Sequence, residues 1–539
     1  MTPVRADLHR SMACFSDRVR PTAVAAAVAA ILGGFLAPDA MAQAASSSDV
    51  QALKSEVEAL QRKIDRLEKQ QAAAAQTAPA PATSAPAAAP ASSAPTVKAG
   101  PVTLTFGGFT ALESVYRNKN ETADIGSNYN TAIPFAYQPN AHISEFRESA
   151  RQSRFSLLAQ GPKAGGWSAE GYMETDFLSA GTSSNSAESN SYTLRLRHFY
   201  GLLRNTDQNW YLLAGQNWSF ATLYGSAQLN PRSERVPQTV DAQYVAGFNW
   251  TRNSQLRFVK NFGKVFSAGI SIESPQASFY TGCSGVATPA PTGCAAPPSA
   301  ITTNPGGSLL NSTANYSIDF APDIVAKIAF DPGYGHYELY GLGRGFRARS
   351  PGTAAGTNNT TWAGSIGAGL ILPLLPNLEF QASGLAGAGN GRYGSAQLPD
   401  ATLRPDGTVA AIREWQAMGG FVFKPVPELT LYLYAGEEKA SRTAYTSGTG
   451  AIGYGSDLYN NTGCYSLTGT AATCIANTGS VENVTIGEWW KVYTGEIGNF
   501  QIGLEYNWLE RKAFGGVSGE PDANISMGFV SFRYYPYQK

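Results

Sequence analysis

The charged side chains of this chain gather on one face of alternating segments. Arg154 shares a face with Gln152 and Gln160, and Arg195 and Arg197 share one opposite Leu194 and Leu196. Arg257 lies with Asn253 and Gln255, opposite Leu256 and Phe258. Glu170, Glu174 and Asp176 occupy a polar face together with Ser168 and Tyr172, and Glu505 lies further along the chain. A guanidinium fork grips a carboxylate, so these arginines suit binding rather than bond-breaking. Opposite charges on neighbouring strands have two uses. They pair to hold a wall, or they set up a transverse field that guides a charged solute. The sequence leaves both open for each residue.

No catalytic or metal site emerges beside them. No G-x-S-x-G occurs, and Gly341, Gly343 and Gly345 alternate along a segment, which is not a phosphate loop. His142, His198 and His336 are scattered, so no metal centre and no cofactor is expected. Cys283 and Cys294 lie close together, as do Cys464 and Cys474. Local pairs in an exported protein read as two disulfides, each closing a short loop.

Overall composition narrows the classes. The chain has 539 residues, with 40 Lys+Arg against 40 Asp+Glu, which gives no attraction to nucleic-acid phosphates. With 43% hydrophobic and 11% aromatic residues it has enough apolar surface to fold. Only 15% of residues are charged and 56 are glycine, a mixture that suits many exposed strands.

Three elements precede the strands. Residues 1–42 read as a secretory signal: Arg5, Arg10, Arg18 and Arg20, an apolar stretch from Ala23 to Ala37, then Ala40-Met41-Ala42. Cys14 leaves with it. Residues 43–70 read as a coiled coil, with a seam of Val50, Leu53, Val57, Leu60, Ile64 and Leu67 for oligomerisation. β-Branched residues at a and Leu at d favour dimers, whereas Lys63-Ile64 with Leu67-Glu68 is similar to a trimer motif with Lys in place of Arg. Residues 71–100 are Ala- and Pro-rich, with Pro79, Pro81, Pro86, Pro90 and Pro95 favouring an extended spacer. Contact with peptidoglycan here is compatible with the composition.

Residues 101–539 read as one all-β domain of about sixteen strands. They fall at 102–116, 150–160, 166–178, 191–204, 209–220, 250–262, 265–274 and 323–331, then at 335–348, 361–372, 377–389, 411–424, 428–440, 484–497, 499–511 and 524–537. Short turns alternate with long loops at 117–149, 179–190, 221–249, 275–322, 349–360, 390–410, 441–483 and 512–523. Even parity and this alternation are the layout of a transmembrane antiparallel β-barrel, which closes because an open edge is intolerable in lipid. Trp167, Trp210, Tyr211, Trp250, Trp489, Trp508, Tyr535 and Tyr537 are assigned to interfacial girdles. His198 falls on the face of Leu194, Leu196 and Tyr200 and is predicted to point outward, where a protomer interface would relieve its cost. About sixteen strands leave an aqueous lumen. Loop 221–249 is expected to fold inward as the constriction, with Arg232 and Arg235 at the neck.

Four motifs carry a resemblance: Arg151-Gln152-Ser153-Arg154-Phe155, Glu174-Thr175-Asp176-Phe177, Leu194-Arg195-Leu196-Arg197-His198 and Leu213-Ala214-Gly215-Gln216-Asn217-Trp218. In that order they resemble the DcaP-like outer-membrane channels. The likeness is best over 150–260; beyond that only the architecture matches. It implies a trimeric sixteen-stranded barrel behind an N-terminal coiled coil. It also implies uptake of small dicarboxylates and other anions through an arginine-bearing constriction. The chain departs in ending Tyr537-Gln538-Lys539 and in its Cys-bearing loops.

The resulting expectation is a porin of a Gram-negative outer membrane, homotrimeric, with its coiled coil in the periplasm. It would contact outer-membrane lipid and lipopolysaccharide and bind no nucleic acid. It is expected to be no enzyme, and to pass small anionic solutes by diffusion. The competing reading is a trimeric surface, adhesive or envelope-structural barrel without an open channel. A third is an outer-membrane enzyme.

Overall fold

The computed structural model describes residues 95–126, 132–178, 193–282, 293–296, 298–303, 316–351 and 356–538. The signal, the heptad seam and nearly all of the spacer lie outside the described residues, as does Cys283.

Alternation builds each strand. Along Asp323–Phe330, Ile324, Ala326, Ile328 and Phe330 are exposed while Asp323, Val325, Lys327 and Ala329 are buried. A strand points successive side chains to opposite faces, so this one has an apolar outside and a mixed inside.

Sixteen such strands close into an antiparallel barrel among the described residues. The first eight are β1 Val102–Arg117, β2 Arg154–Gln160, β3 Trp167–Asp176, β4 Arg195–Asn205, β5 Trp210–Trp218, β6 Arg252–Phe262, β7 Phe266–Glu273 and β8 Asp323–Phe330. They continue as β9 His336–Ser350, β10 Thr357–Leu375, β11 Leu378–Ala388, β12 Arg413–Val426, β13 Leu429–Ala440, β14 Thr478–Gly495, β15 Gly498–Ala513 and β16 Asp522–Tyr535. Closure comes from Thr110–Arg117 of β1 pairing with Met527–Tyr534 of β16. On its other edge β1 pairs with β2 and with a short strand, Glu145–Ser149, that precedes it. A further strand, Thr96–Ala99, folds back on the start of β1.

The loop layout differs from expectation in two places. Glu145–Ser149 belongs to the wall, which shortens the first long loop. β9 and β10 stay paired up to Ser350 and Thr357, so their connection is short where a long loop was expected. The other long connections interlock. Phe279–Tyr280, Ala401–Leu403 and Val409–Ala411 form a small sheet, and Thr443–Ser447 pairs with Gly450–Tyr454. Cys464 and Cys474 are joined as expected. Cys294 is also disulfide-bonded.

The lumen is partly filled. The connection between β5 and β6 turns inward, and its Phe220, Ala221, Tyr224, Ala227 and Leu229 pack on inward-facing Tyr200, Tyr211, Leu213, Val259, Val325 and Leu342. Tyr211, assigned to a girdle from the sequence, therefore faces inside and donates to the Leu229 carbonyl. Trp250, on the inward connection itself, and Trp489, on β14, also face inward and join the interior apolar cluster.

Candidate functional site

The inward connection crosses the barrel from its roots on β5 and β6. Wall side chains catch its backbone N–H groups one after another. Phe220 N donates to Glu273 at 2.7 Å and Tyr224 N to Glu338 at 2.8 Å. On the far arm Val240 N donates to Glu505 at 2.7 Å, Ala246 N to Asn483 at 2.9 Å and Gly247 N to Glu438 at 2.8 Å. Four of these five acceptors are glutamate side chains, and a carboxylate acceptor makes a stronger bond than a neutral one. Gly247 has φ +82°, and a Cβ there would lie 2.2 Å from the Ala417 carbonyl oxygen, so only glycine lets the loop sit this close to the wall. Tyr244 on the same arm accepts from Arg117 at 2.9 Å and donates to the Ile125 carbonyl. Burial pushes its phenol up, which keeps it a neutral donor.

Between this loop and the β2–β6 and β12–β16 side of the wall lies a cavity of about 500 Å³. Strands β2 to β6 supply Arg154, Tyr172, Glu174, Arg195, Arg197, His198, Asn217, Trp218 and Arg252. The loop supplies Arg232, Glu234 and a run from Val236 to Ala242, and the short-turn end supplies Lys424, Lys491, Gln501 and Arg533. Eight Lys or Arg against three Asp or Glu line this space, so its field is positive although the chain as a whole is neutral.

The arginines divide by partnership. Arg195 grips Asp176 through both nitrogens at 2.8 and 2.7 Å, and Arg197 reaches Glu174 at 2.5 Å and Asp176 at 2.8 Å. Arg533 is held by Glu113 at 2.5 Å and Arg232 by Glu170 at 3.0 Å. Arg154 and Arg252 form no ion pair among the described residues. Arg154 stands 5.2 Å over Phe109, and its Nε has no hydrogen-bond partner. Arg252 stands 4.5 Å over Trp218 and 5.9 Å from Trp250. Aromatic faces support a cation but do not neutralise it. Arg232 sits at φ +69°, a conformation unusual for a branched-out side chain and one that functional sites tend to hold.

The residues singled out from the sequence separate accordingly. Arg154, Arg195, Arg197, Arg232 and Glu174 line the cavity. Asp176 is fully buried behind Arg195 and Arg197, and Glu170 sits beside Arg232. Arg257 faces inside as expected but is sealed under the loop at 0% exposure, bonded to Gln255 at 2.9 Å, to the Trp218 carbonyl at 2.7 Å and to the Tyr224 hydroxyl. Arg235 lies on the loop, 3.4 Å from Glu379 of β11, outside the cavity lining. His198 corrects an expectation. It points inward at 6% exposure because the β3–β4 register slips between Glu174 and Thr175. The extra residue of that bulge reverses the parity of everything before it.

Arg252, Arg533, Lys424, Lys491 and Asp241 were not singled out from the sequence. Arg533 had a signal: Phe529, Ser531 and Arg533 alternate with Val530 and Phe532 on the last strand. Asp241, on a loop, had none.

The fold and the cavity define a membrane β-barrel of porin size with a loop folded into its lumen. No protein-family model matches the chain, and no curated protein matches it in sequence. Among solved structures it is similar to the outer membrane channel DcaP of Acinetobacter baumannii, with a TM-score of 0.55 at 15% identity over 80% of this chain and 97% of that one. It also matches an anion-selective porin from Comamonas acidovorans, with a TM-score of 0.43 at 12% identity over 80% of this chain and 99% of that one. The chain is thus DcaP-like in fold.

Proposed function

We propose that this protein is an outer-membrane porin that passes small anions, of dicarboxylate size, in preference to cations. The observation that carries this is the pair Arg154 and Arg252, two cations facing one cavity of about 500 Å³ with no carboxylate partner. Each carries a fixed positive charge that a passing carboxylate can satisfy in place of water. The paired arginines, Arg195, Arg197 and Arg533, hold the wall in place and add hydrogen-bond donors along the route. The low likeness to DcaP supports the barrel, and the cavity supports the charge preference. In the cell we place it in a Gram-negative outer membrane, as a homotrimer, with the heptad seam in the periplasm.

Liposome swelling tests the proposal. Proteoliposomes of the full chain should swell faster in a small dicarboxylate than in an amino sugar cation of similar size. Absence of swelling in every solute, together with silent planar bilayers, would return the protein to the structural or adhesive reading.

A further inference from the structure

The near arm of the inward connection runs down the lumen to the short-turn end. Tyr224 N donates to Glu338 Oε1 and Ala227 N to Asp331 Oδ2, both at 2.8 Å. Gln228 donates at 3.2 Å to the Gly263 carbonyl, between β6 and β7, and Asp331 lies between β8 and β9. Lys327 of β8 donates to the Thr222 carbonyl at 2.7 Å and to Glu338 Oε2 at 2.5 Å. One side chain joins the two carboxylates that hold this arm. His336, the first residue of β9, sets Nδ1 2.6 Å from Asp331 Oδ1 and Nε2 3.0 Å from Glu338 Oε1. A neutral imidazole has one N–H and one lone pair, and a carboxylate oxygen only accepts. Both contacts attract at once only when the ring is an imidazolium. Charge then balances, with Asp331 and Glu338 against Lys327 and His336. From β10, Ile371 lies opposite His336. Farther off, Arg257 of β6 and Glu234 of the loop act on Lys327, and Arg257 donates to the Tyr224 hydroxyl. His336 is 4% exposed, whereas the Asp331 side chain is 30% exposed and gives the cluster an outlet to water. On the far arm, Glu505, Asn483 and Glu438 bond no histidine among the described residues.

We propose that His336 is a proton-operated latch on the inward loop: the protonated ring seats the near arm, and loss of that proton releases it. The proton leaves the ring for water by way of Asp331. A neutral ring then sits between two carboxylates, and one of them meets a lone pair in place of a donor. That carboxylate turns away, and the backbone N–H it held, of Ala227 or of Tyr224, loses its acceptor. Arg232 and Glu234 follow this arm and line the cavity, so its release loosens one side of the passage. The seated state is present at lower pH and is lost as pH rises through the titration of the ring. The inference rests on the channel reading above for its electrical readout alone.

Single-channel recordings of the full chain from about pH 6 to about pH 10 span the titration of the ring. Open-channel excursions of the parent should become about tenfold more frequent across that range, since one charge-assisted anchor is lost. His336→Gln, whose amide has one donor end and one acceptor end, should show the alkaline behaviour at every pH. Asp331→Asn keeps an oxygen for Ala227 N but removes one of the two anions, so the midpoint should move to lower pH. A parent indifferent to pH, or a His336→Gln variant that keeps the parent's pH profile, would overturn the proposal. A second measurement needs no conduction. Ala227 is fully buried, and Ala227→Cys places a thiol under the seated arm. At about pH 6 that thiol should react with a maleimide about tenfold faster when His336→Gln is added. Equal rates would contradict the latch even in a silent channel, so the latch and the porin reading fail separately.

Discussion

Arginine identity decides little until its partner is known. Arg154, Arg252 and Arg257 all face the barrel interior. Arg257 is bonded under the loop, while the other two meet the cavity without a carboxylate. Two unit charges 4 Å apart in a water-like medium interact by about 1 kcal/mol, a factor of about five in population. Arg154→Gln and Arg252→Gln should each lower the anion-to-cation permeability ratio by about that factor, measured in single channels. Arg257→Gln should leave the ratio unchanged and lower the unfolding temperature, since it removes the buried donor to the Tyr224 hydroxyl and one of the two donors to the Trp218 carbonyl. Period-two alternation showed in the sequence that Arg154 and Arg257 turn inward, whereas it sets Arg252 on the face of Leu256 and Phe258. It could not show which is roofed, because the roof comes from residues 221–229, whose fold back over the wall is not encoded in the alternation of the strands themselves. His198 was misread for a local reason. A one-residue bulge leaves no mark in composition yet flips the face of the residues beyond it.

The loop between β5 and β6 sets the passage, and its rigidity comes from wall carboxylates that accept its N–H groups. Replacing such an acceptor removes a charge-assisted bond worth about 1.5–3 kcal/mol. Glu505→Ala and Glu438→Ala should therefore raise open-channel noise and mean conductance while leaving the barrel assembled, as read from bilayer recordings. The Cys464–Cys474 bridge closes only a short outer loop. Losing it forfeits about 2–3 kcal/mol on the chain-entropy account, locally. Cys464→Ser with Cys474→Ser should expose that loop to protease and leave conductance unaltered. The inward fold of this connection was anticipated from its length and its arginines. Its depth of packing was not, because the apolar set that anchors it, Phe220, Tyr224 and Leu229, reads in sequence like any loop with aromatic residues.

At the scale of the whole molecule, the strand count and the alternation of short and long connections were legible because lipid enforces them. The lumen was less so. A face of Tyr211, Leu213, Val259 and Leu342 is apolar on the inside, and only a loop packed against it makes that sensible. Part of the interior is therefore core, and a cavity beside it carries positive charge although the chain is neutral. If three such barrels assemble, conductance should appear in groups of three equal steps. The zero-current potential of single channels in a KCl gradient reads the charge preference of that passage directly. Chloride should outrun potassium, and Arg154→Glu with Arg252→Glu should reduce or reverse that sign. Potassium outrunning chloride in the unaltered protein would contradict the account.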